Sequence, residues 1–98
     1  MTSIATKLKE LGITLPEVSL PAANYVPCNI SGNILYVSGQ LPMLDGKPQF
    51  IGKVGRDFTI EQGQECARIC TYNILAHTQK ILGGNFDRVA KLIRLGVF

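Results

Sequence analysis

The feature that most limits what this chain can fold into is Thr59-Ile60-Glu61-Gln62, a capping box at the head of a long helical pattern. The Thr59 hydroxyl is placed to accept from the Gln62 amide while the Gln62 side chain reaches back to the Thr59 amide, satisfying two donors that every helix N-terminus leaves over. A helix is predicted to run from there to Leu82 and stop at Gly83-Gly84, roughly 23 residues and about 35 Å long. At about 100° per residue, Ile60, Gly63, Ala67, Cys70, Ile74, His77 and Ile81 share one broad face, with Glu61, Glu65, Arg68 and Gln79 opposite. A face so rich in small residues suits close packing on a sheet.

The strands for that sheet lie on either side of the helix. Tyr25-Val26-Pro27-Cys28-Asn29-Ile30 and Ile34-Leu35-Tyr36-Val37-Ser38 are rich in strand formers and flank Ser31-Gly32-Asn33, so they read as a hairpin. Pro27 cannot donate to a ladder, which puts the first strand at an edge near that point. Pro42, Asp45-Gly46, Pro48 and Gly52 break up the next stretch, leaving at most a short strand around Gln49 to Gly52. Beyond the helix, Asn85-Phe86-Asp87 makes a turn, and residues 89–98 read as a strand returning beside the hairpin. At the other end, Ser3 caps a short helix carrying Ile4, Leu8 and Leu11, closed by Gly12, and Pro16 and Pro21 mark a linker.

The expected class is α+β in one domain over residues 1–98, with a helix and linker at 1–23 and a β-β-(β)-α-β core at 24–98. One helix covers only one face of such a sheet. The apolar pattern also runs to Phe98 with no turn or polar tail. The expectation is therefore a unit that is incomplete by itself, or one whose remaining surface a partner covers.

Composition removes several function classes. A hydrophobic content of 46% with 17% charged residues is ordinary globular usage, and no run approaches the roughly 18 apolar residues of a membrane span. Lysines inside the first ten residues interrupt any apolar core of a secretory signal. Three cysteines without scaffold spacing fit a reducing compartment, the cytoplasm. The net charge of +3 is dispersed, which argues against a dedicated nucleic-acid module.

Cys66, Cys70 and His77 fall on one side of the long helix, but Cys70 and His77 are about 10 Å apart along its axis, too far to share a zinc ion that holds its ligands within about 2.3 Å. These residues read as core, with no metal site. Cys28 has no neighbouring cation in sequence to activate its thiol, and reads as structural. There is no phosphate-binding glycine loop and no nucleophile elbow.

The order of short phrases is more telling. Ala23-Asn24-Tyr25-Val26-Pro27, then Gly32-Asn33-Ile34-Leu35-Tyr36-Val37-Ser38-Gly39-Gln40-Leu41-Pro42, then Gly52-Lys53-Val54-Gly55, and finally Phe86-Asp87-Arg88-Val89 resemble the Rid family, the reactive-intermediate deaminases also known as YjgF-like proteins. The resemblance spans about residues 15 to 98 and covers the N-terminal portion of the family's pattern. The extra helix and the Ala-Asn before Tyr25 resemble a subgroup of longer members. The resemblance implies a chorismate-mutase-like fold and a homotrimer with its sheets turned inward and ligand clefts between subunits. It also implies hydrolysis of 2-imino and enamino acids, such as 2-aminoacrylate, to 2-keto acids and ammonia, without metal or cofactor.

In the family, a tyrosine and the serine-glycine of the second strand line the cleft, and Tyr25, Ser38 and Gly39 match those substrate-binding positions. The family's carboxylate-binding arginine and its acidic residue fall in closing strands that would lie beyond Phe98. Arg88 and Arg94 do not match them. Two further readings stand beside the deaminase: a non-catalytic trimeric module binding small carboxylates, and the ribonuclease activity ascribed to some Rid-like proteins.

Overall fold

The computed structural model describes residues 3–16, 27–44 and 47–97. Helix α1 spans Ile4–Glu10, with Ser3 at its N-cap accepting from the Thr6 amide. Its C-terminus closes as a Schellman turn: Gly12, at φ +70°, donates to Lys9 O, and Ile13 donates to Leu8 O.

Strands β1 (Cys28–Ser31) and β2 (Ile34–Val37) form the expected hairpin, registered Cys28 to Val37 and Ser31 to Ile34. Gly32 takes φ +60° while Asn33 does not enter the positive region, the pattern of a type II′ turn with glycine first. Pro27 extends the ladder through its carbonyl, which accepts from Ser38 N at 2.8 Å. The return bond that an N–H at this position would make to Ser38 O is missing, and Gln40 Nε2 donates to that carbonyl instead at 3.1 Å. Tyr25 and the linker from residue 17 lie outside the described residues.

Strands β3 (Met43–Leu44) and β4 (Lys47–Pro48) pair antiparallel. The short strand anticipated near Gln49 to Gly52 is therefore displaced toward the N-terminus. Residues 49–52 instead make an irregular crossing in which Phe50 has φ 52° and Gly52 φ 147°. That crossing ends in a tight turn where Lys53 N donates to Asp57 Oδ2 at 2.8 Å and Asp57 N donates to Lys53 O at 2.8 Å.

Helix α2 spans Ile60–Ile81, and both halves of its capping box form: Gln62 N donates to Thr59 Oγ1 at 3.1 Å, and Thr59 N to Gln62 Oε1 at 2.9 Å. It ends in a second Schellman turn, Gly84 donating to Gln79 O and Gly83, at φ 65°, to Lys80 O. The face it buries is not the one the spacing suggested. Ile60 is 66% exposed and Ala67 is also exposed, whereas Ile69, Asn73 and Ala76 are buried. The stripe formed by Ile69, Asn73 and Ala76 is turned by roughly 120° around the axis at about 100° per residue. Its centre is a polar residue that a hydrophobicity wheel assigns to solvent.

A 3-10 turn over Phe86–Arg88 follows, capped by Asn85 accepting from Asp87 N, and Phe86 is among the most deeply buried side chains described. The predicted return strand does not form over residues 89–97. Leu92, Ile93 and Val97 are 75%, 66% and 79% exposed, and among the described residues nothing pairs with them. A strand exists only through its neighbour, and here the β-type pattern has none.

Among the described residues the apolar core is small: Ile69, Ala76, Leu82 and Phe86. The accessible surface is 7792 Å², against about 5,500 Å² for a compact monomer of the chain's 10.7 kDa. The radius of gyration, 14.3 Å, likewise exceeds the roughly 13 Å of a compact 98-residue domain.

The Gly52 turn supplies a test of this local architecture. A Cβ on Gly52 would sit 2.6 Å from Asp57 Oδ2 and 2.7 Å from Asp57 Cβ, in a backbone region that other residues rarely adopt. Gly52→Ala is expected to cost about 1–3 kcal/mol, read as a lower urea midpoint. Gly55→Ala, at φ +90° but facing open space, should cost less. Equal midpoints for the two variants would contradict the collision with Asp57.

Candidate functional site

The phrase Ser38-Gly39-Gln40-Leu41-Pro42 leaves the end of β2 and passes directly over α2, and the helix holds it by its carbonyls. Asn73 Nδ2 donates to Leu41 O at 3.2 Å and to Met43 O at 3.1 Å. Cys70 Sγ approaches Gln40 O at 3.5 Å, and the Gln40 side chain turns back to donate to Ser38 O at 3.1 Å. Four carbonyls between Ser38 and Met43, those of Ser38, Gln40, Leu41 and Met43, therefore accept from side-chain donors. Three of the four are held from α2.

This arrangement fixes where the expected site residues sit. Ser38 is half-buried, with its amide bound to Pro27 O. Gly39 is exposed, and a Cβ there would meet nothing within 4 Å among the described residues. Tyr25, the third expected residue, lies outside the described residues. Asn73 was not singled out by spacing. The available signal was an amide side chain within the two turns that also carry Cys70 and His77.

The thiols have individual roles. Cys28 Sγ points toward His77 O at 3.9 Å, a weak contact joining β1 to α2. Burial pushes the Cys28 thiol above its ordinary range. Burial also raises Cys70, with a smaller contribution from neighbouring Cys66. Protonated thiols are donors, which matches the contacts that Cys28 and Cys70 make, and is the opposite of what an activated nucleophile requires. Among the described residues, no three His, Cys, Asp or Glu side chains converge as metal ligands. No helix among them is long and apolar enough to cross a membrane.

Of the arginines, Arg56 is bound to Asp57 through Nη2 at 2.9 Å, and Arg68 to Glu65. The Arg56 guanidinium, together with the Lys53 amide, holds the Asp57 carboxyl below its usual range.

Residues 5–98 match the model of the family described as "YjgF/chorismate mutase-like, putative endoribonuclease". The chain belongs to that family. The match reaches back through most of α1, so the N-terminal helix is part of the YjgF-like pattern. Among relatives, Protein TCP17 of Trypanosoma cruzi is 41% identical over 95 residues, 97% of this chain. Two solved YjgF-like neighbours carry the same fold. The protein Atu1372 of unknown function from Agrobacterium tumefaciens is 53% identical with a TM-score of 0.69, over 81% of this chain. A protein described as a "putative endoribonuclease" from Shewanella oneidensis is 36% identical with a TM-score of 0.78, over 86%. This chain spans 59% of TCP17 and 47% and 55% of the two solved chains.

His77 provides a pH test of the packing around the site. Burial first, and the like charge of Lys80 second, hold its imidazole below the ordinary value of 6.5. The unfolded chain then takes up a proton near pH 6.5 that the folded chain refuses, so folding is favoured more as pH rises through that range. The contribution is fully present above 6.5, erodes below it, and is gone once pH drops beneath the folded value. His77→Gln should therefore show a shallower fall in urea midpoint between pH 7.5 and 5 than the parent. A constant offset between the two across that range would remove His77 as the cause.

Proposed function

We propose that this YjgF-like chain takes part in hydrolysing 2-imino and enamino acids to 2-keto acids and ammonia, as one subunit of a cytoplasmic homotrimer and without a cofactor. The observation that carries the reading is the Ser38-Gly39 end of β2. It combines the half-buried Ser38 with the exposed Gly39 backbone, and the segment's carbonyls are held from behind by Asn73 and Cys70. A small polar ligand gains from such a support because its groups are already oriented before it arrives.

Imine hydrolysis needs water brought to an electrophilic carbon, a proton for the leaving nitrogen, and a fixed cation to hold the substrate carboxylate. Ser38 and Tyr25 offer hydroxyls for the first two tasks. Neither carries the cation, and Arg56 and Arg68 are already engaged with carboxylates. In this reading the clamp comes from outside residues 1–98 or from a neighbouring subunit. The exposed apolar side chains Leu92, Ile93, Leu95 and Val97, together with the outward face of the hairpin, support the assembly, because such surface is usually covered by another.

A second reading is favoured by the family's description and by the Shewanella neighbour, both of which name an endoribonuclease. The dispersed +3 charge offers RNA no continuous basic track. Binding of a small carboxylate without turnover is the non-catalytic form of the first reading.

Sedimentation of the 98-residue chain should show an oligomer, and a monodisperse folded monomer would contradict the assembly. The chain assayed alone should show no imine hydrolysis above background, whereas a protein extended to the relatives' length should release ammonia from 2-aminoacrylate generated in the assay. In that longer protein, Tyr25→Phe should lower turnover about ten- to a hundredfold, equivalent to about 1.4–2.8 kcal/mol of transition-state stabilisation. RNA cleavage without imine turnover in parallel assays would replace the deaminase reading with the second one, and keto-acid binding without either activity would leave the non-catalytic module.

A further inference from the structure

We propose that Asn73 is the positioning residue of the Ser38-Gly39 site, setting the geometry of the strand end from the opposite side without touching a ligand. The inference builds on the functional reading above and adds to it a residue outside the family phrases. It stands on geometry. Asn73 is 7% exposed, yet its amide nitrogen reaches two carbonyls two residues apart, Leu41 O and Met43 O. One donor group spanning i and i+2 carbonyls fixes the direction of the intervening peptide units. Met43 N meanwhile closes back on Leu41 O at 2.7 Å, and Gln49 N donates to Pro42 O at 2.9 Å, so the pinned turn also anchors the start of the crossing that follows β4.

Upstream, the same segment continues to Gln40, whose carbonyl accepts from Cys70 and whose side chain holds Ser38 O. A change at Asn73 is therefore transmitted to Ser38 through at most three peptide units. It is not transmitted equally to the helix, whose ladder does not depend on the Asn73 side chain. An amide at this place serves where an apolar residue of the same size would not. Leucine would fill the volume but leave Met43 O without its donor and Leu41 O with the Met43 amide alone, and aspartate would set carboxylate oxygens against carbonyl oxygens.

The test uses the protein extended to the relatives' length, with Asn73→Leu as the shape-matched variant, and combines amide hydrogen exchange with imine turnover. In Asn73→Leu, the Ser38 and Gln49 amides should exchange at least tenfold faster, while amides in the Gln64 to Ile69 stretch of α2 stay within about threefold of the parent. The kcat/KM for imine hydrolysis should fall at least tenfold. Uniform acceleration across both regions would reduce Asn73 to general packing, and unchanged Ser38 and Gln49 exchange would overturn the proposal outright. If Asn73→Leu does not fold, Cys70→Ala removes only the thiol contact to Gln40 O and should accelerate the Ser38 amide by about threefold, an effect whose absence counts against the proposal. A parent without imine turnover would overturn the deaminase reading alone, since the exchange pattern still decides the role of Asn73.

Discussion

The Asn73 side chain sits where the helix, the end of the hairpin and the β3–β4 ribbon meet, and its two hydrogen bonds are the means by which they hold together. The hairpin is closed by its own ladder and the helix by its own caps, so each is locally self-sufficient. Neither property says how one lies on the other. The apolar core is too small to decide it, because among the described residues Ile69, Ala76, Leu82 and Phe86 are the buried hydrophobic ones and hydrophobic contact is not directional. Directional bonds from a buried amide to named carbonyls do decide it. Removing such a donor leaves acceptors to find water or go without, which costs about 1–3 kcal/mol per buried group.

That arrangement explains why small residues line the helix. Gly63 lets Val54 approach so closely that a Cβ there would lie 3.0 Å from Val54 Cγ2, and Cys66 and Cys70 occupy the same side. Close approach brings the strand-end carbonyls within reach of short side chains. A bulky apolar face would have moved the segment outward and broken the reach of Asn73. Small size and a single amide thus belong to one solution.

What the sequence made legible divides along the same line. The capping box at Thr59, both glycine helix stops and the Gly32 turn were readable because each has its cause within about six residues of its effect. Ser38 and Gly39 were proposed through a phrase characteristic of a family, and α2 holds the carbonyls of that phrase. The face of α2 was misjudged because a wheel weighs Asn73 by its hydrophobicity, whereas its burial follows from two acceptors more than 29 residues away in sequence. The short ribbon at Met43–Leu44 was missed for a related reason. Pro42 and Pro48 read as breakers, but β3 begins after the first proline, and the second stands at the end of β4.

The run after Val89 extends this argument to its limit. Its residues have strong strand propensity, yet propensity for a strand is mostly a measure of fit to a neighbouring pleated surface, and only about 1 kcal/mol separates the best formers from the poorest. Without a ladder, each peptide keeps its bonds to water and gains nothing by extending. The same holds for the outward side of the hairpin, where Ile34 and Tyr36 are 40% and 57% exposed. Apolar side chains on both segments carry a pattern with meaning only against a second surface. The helix, which satisfies its backbone internally, reaches its final form without one, and for that reason the strand-end site is organised from the helical side.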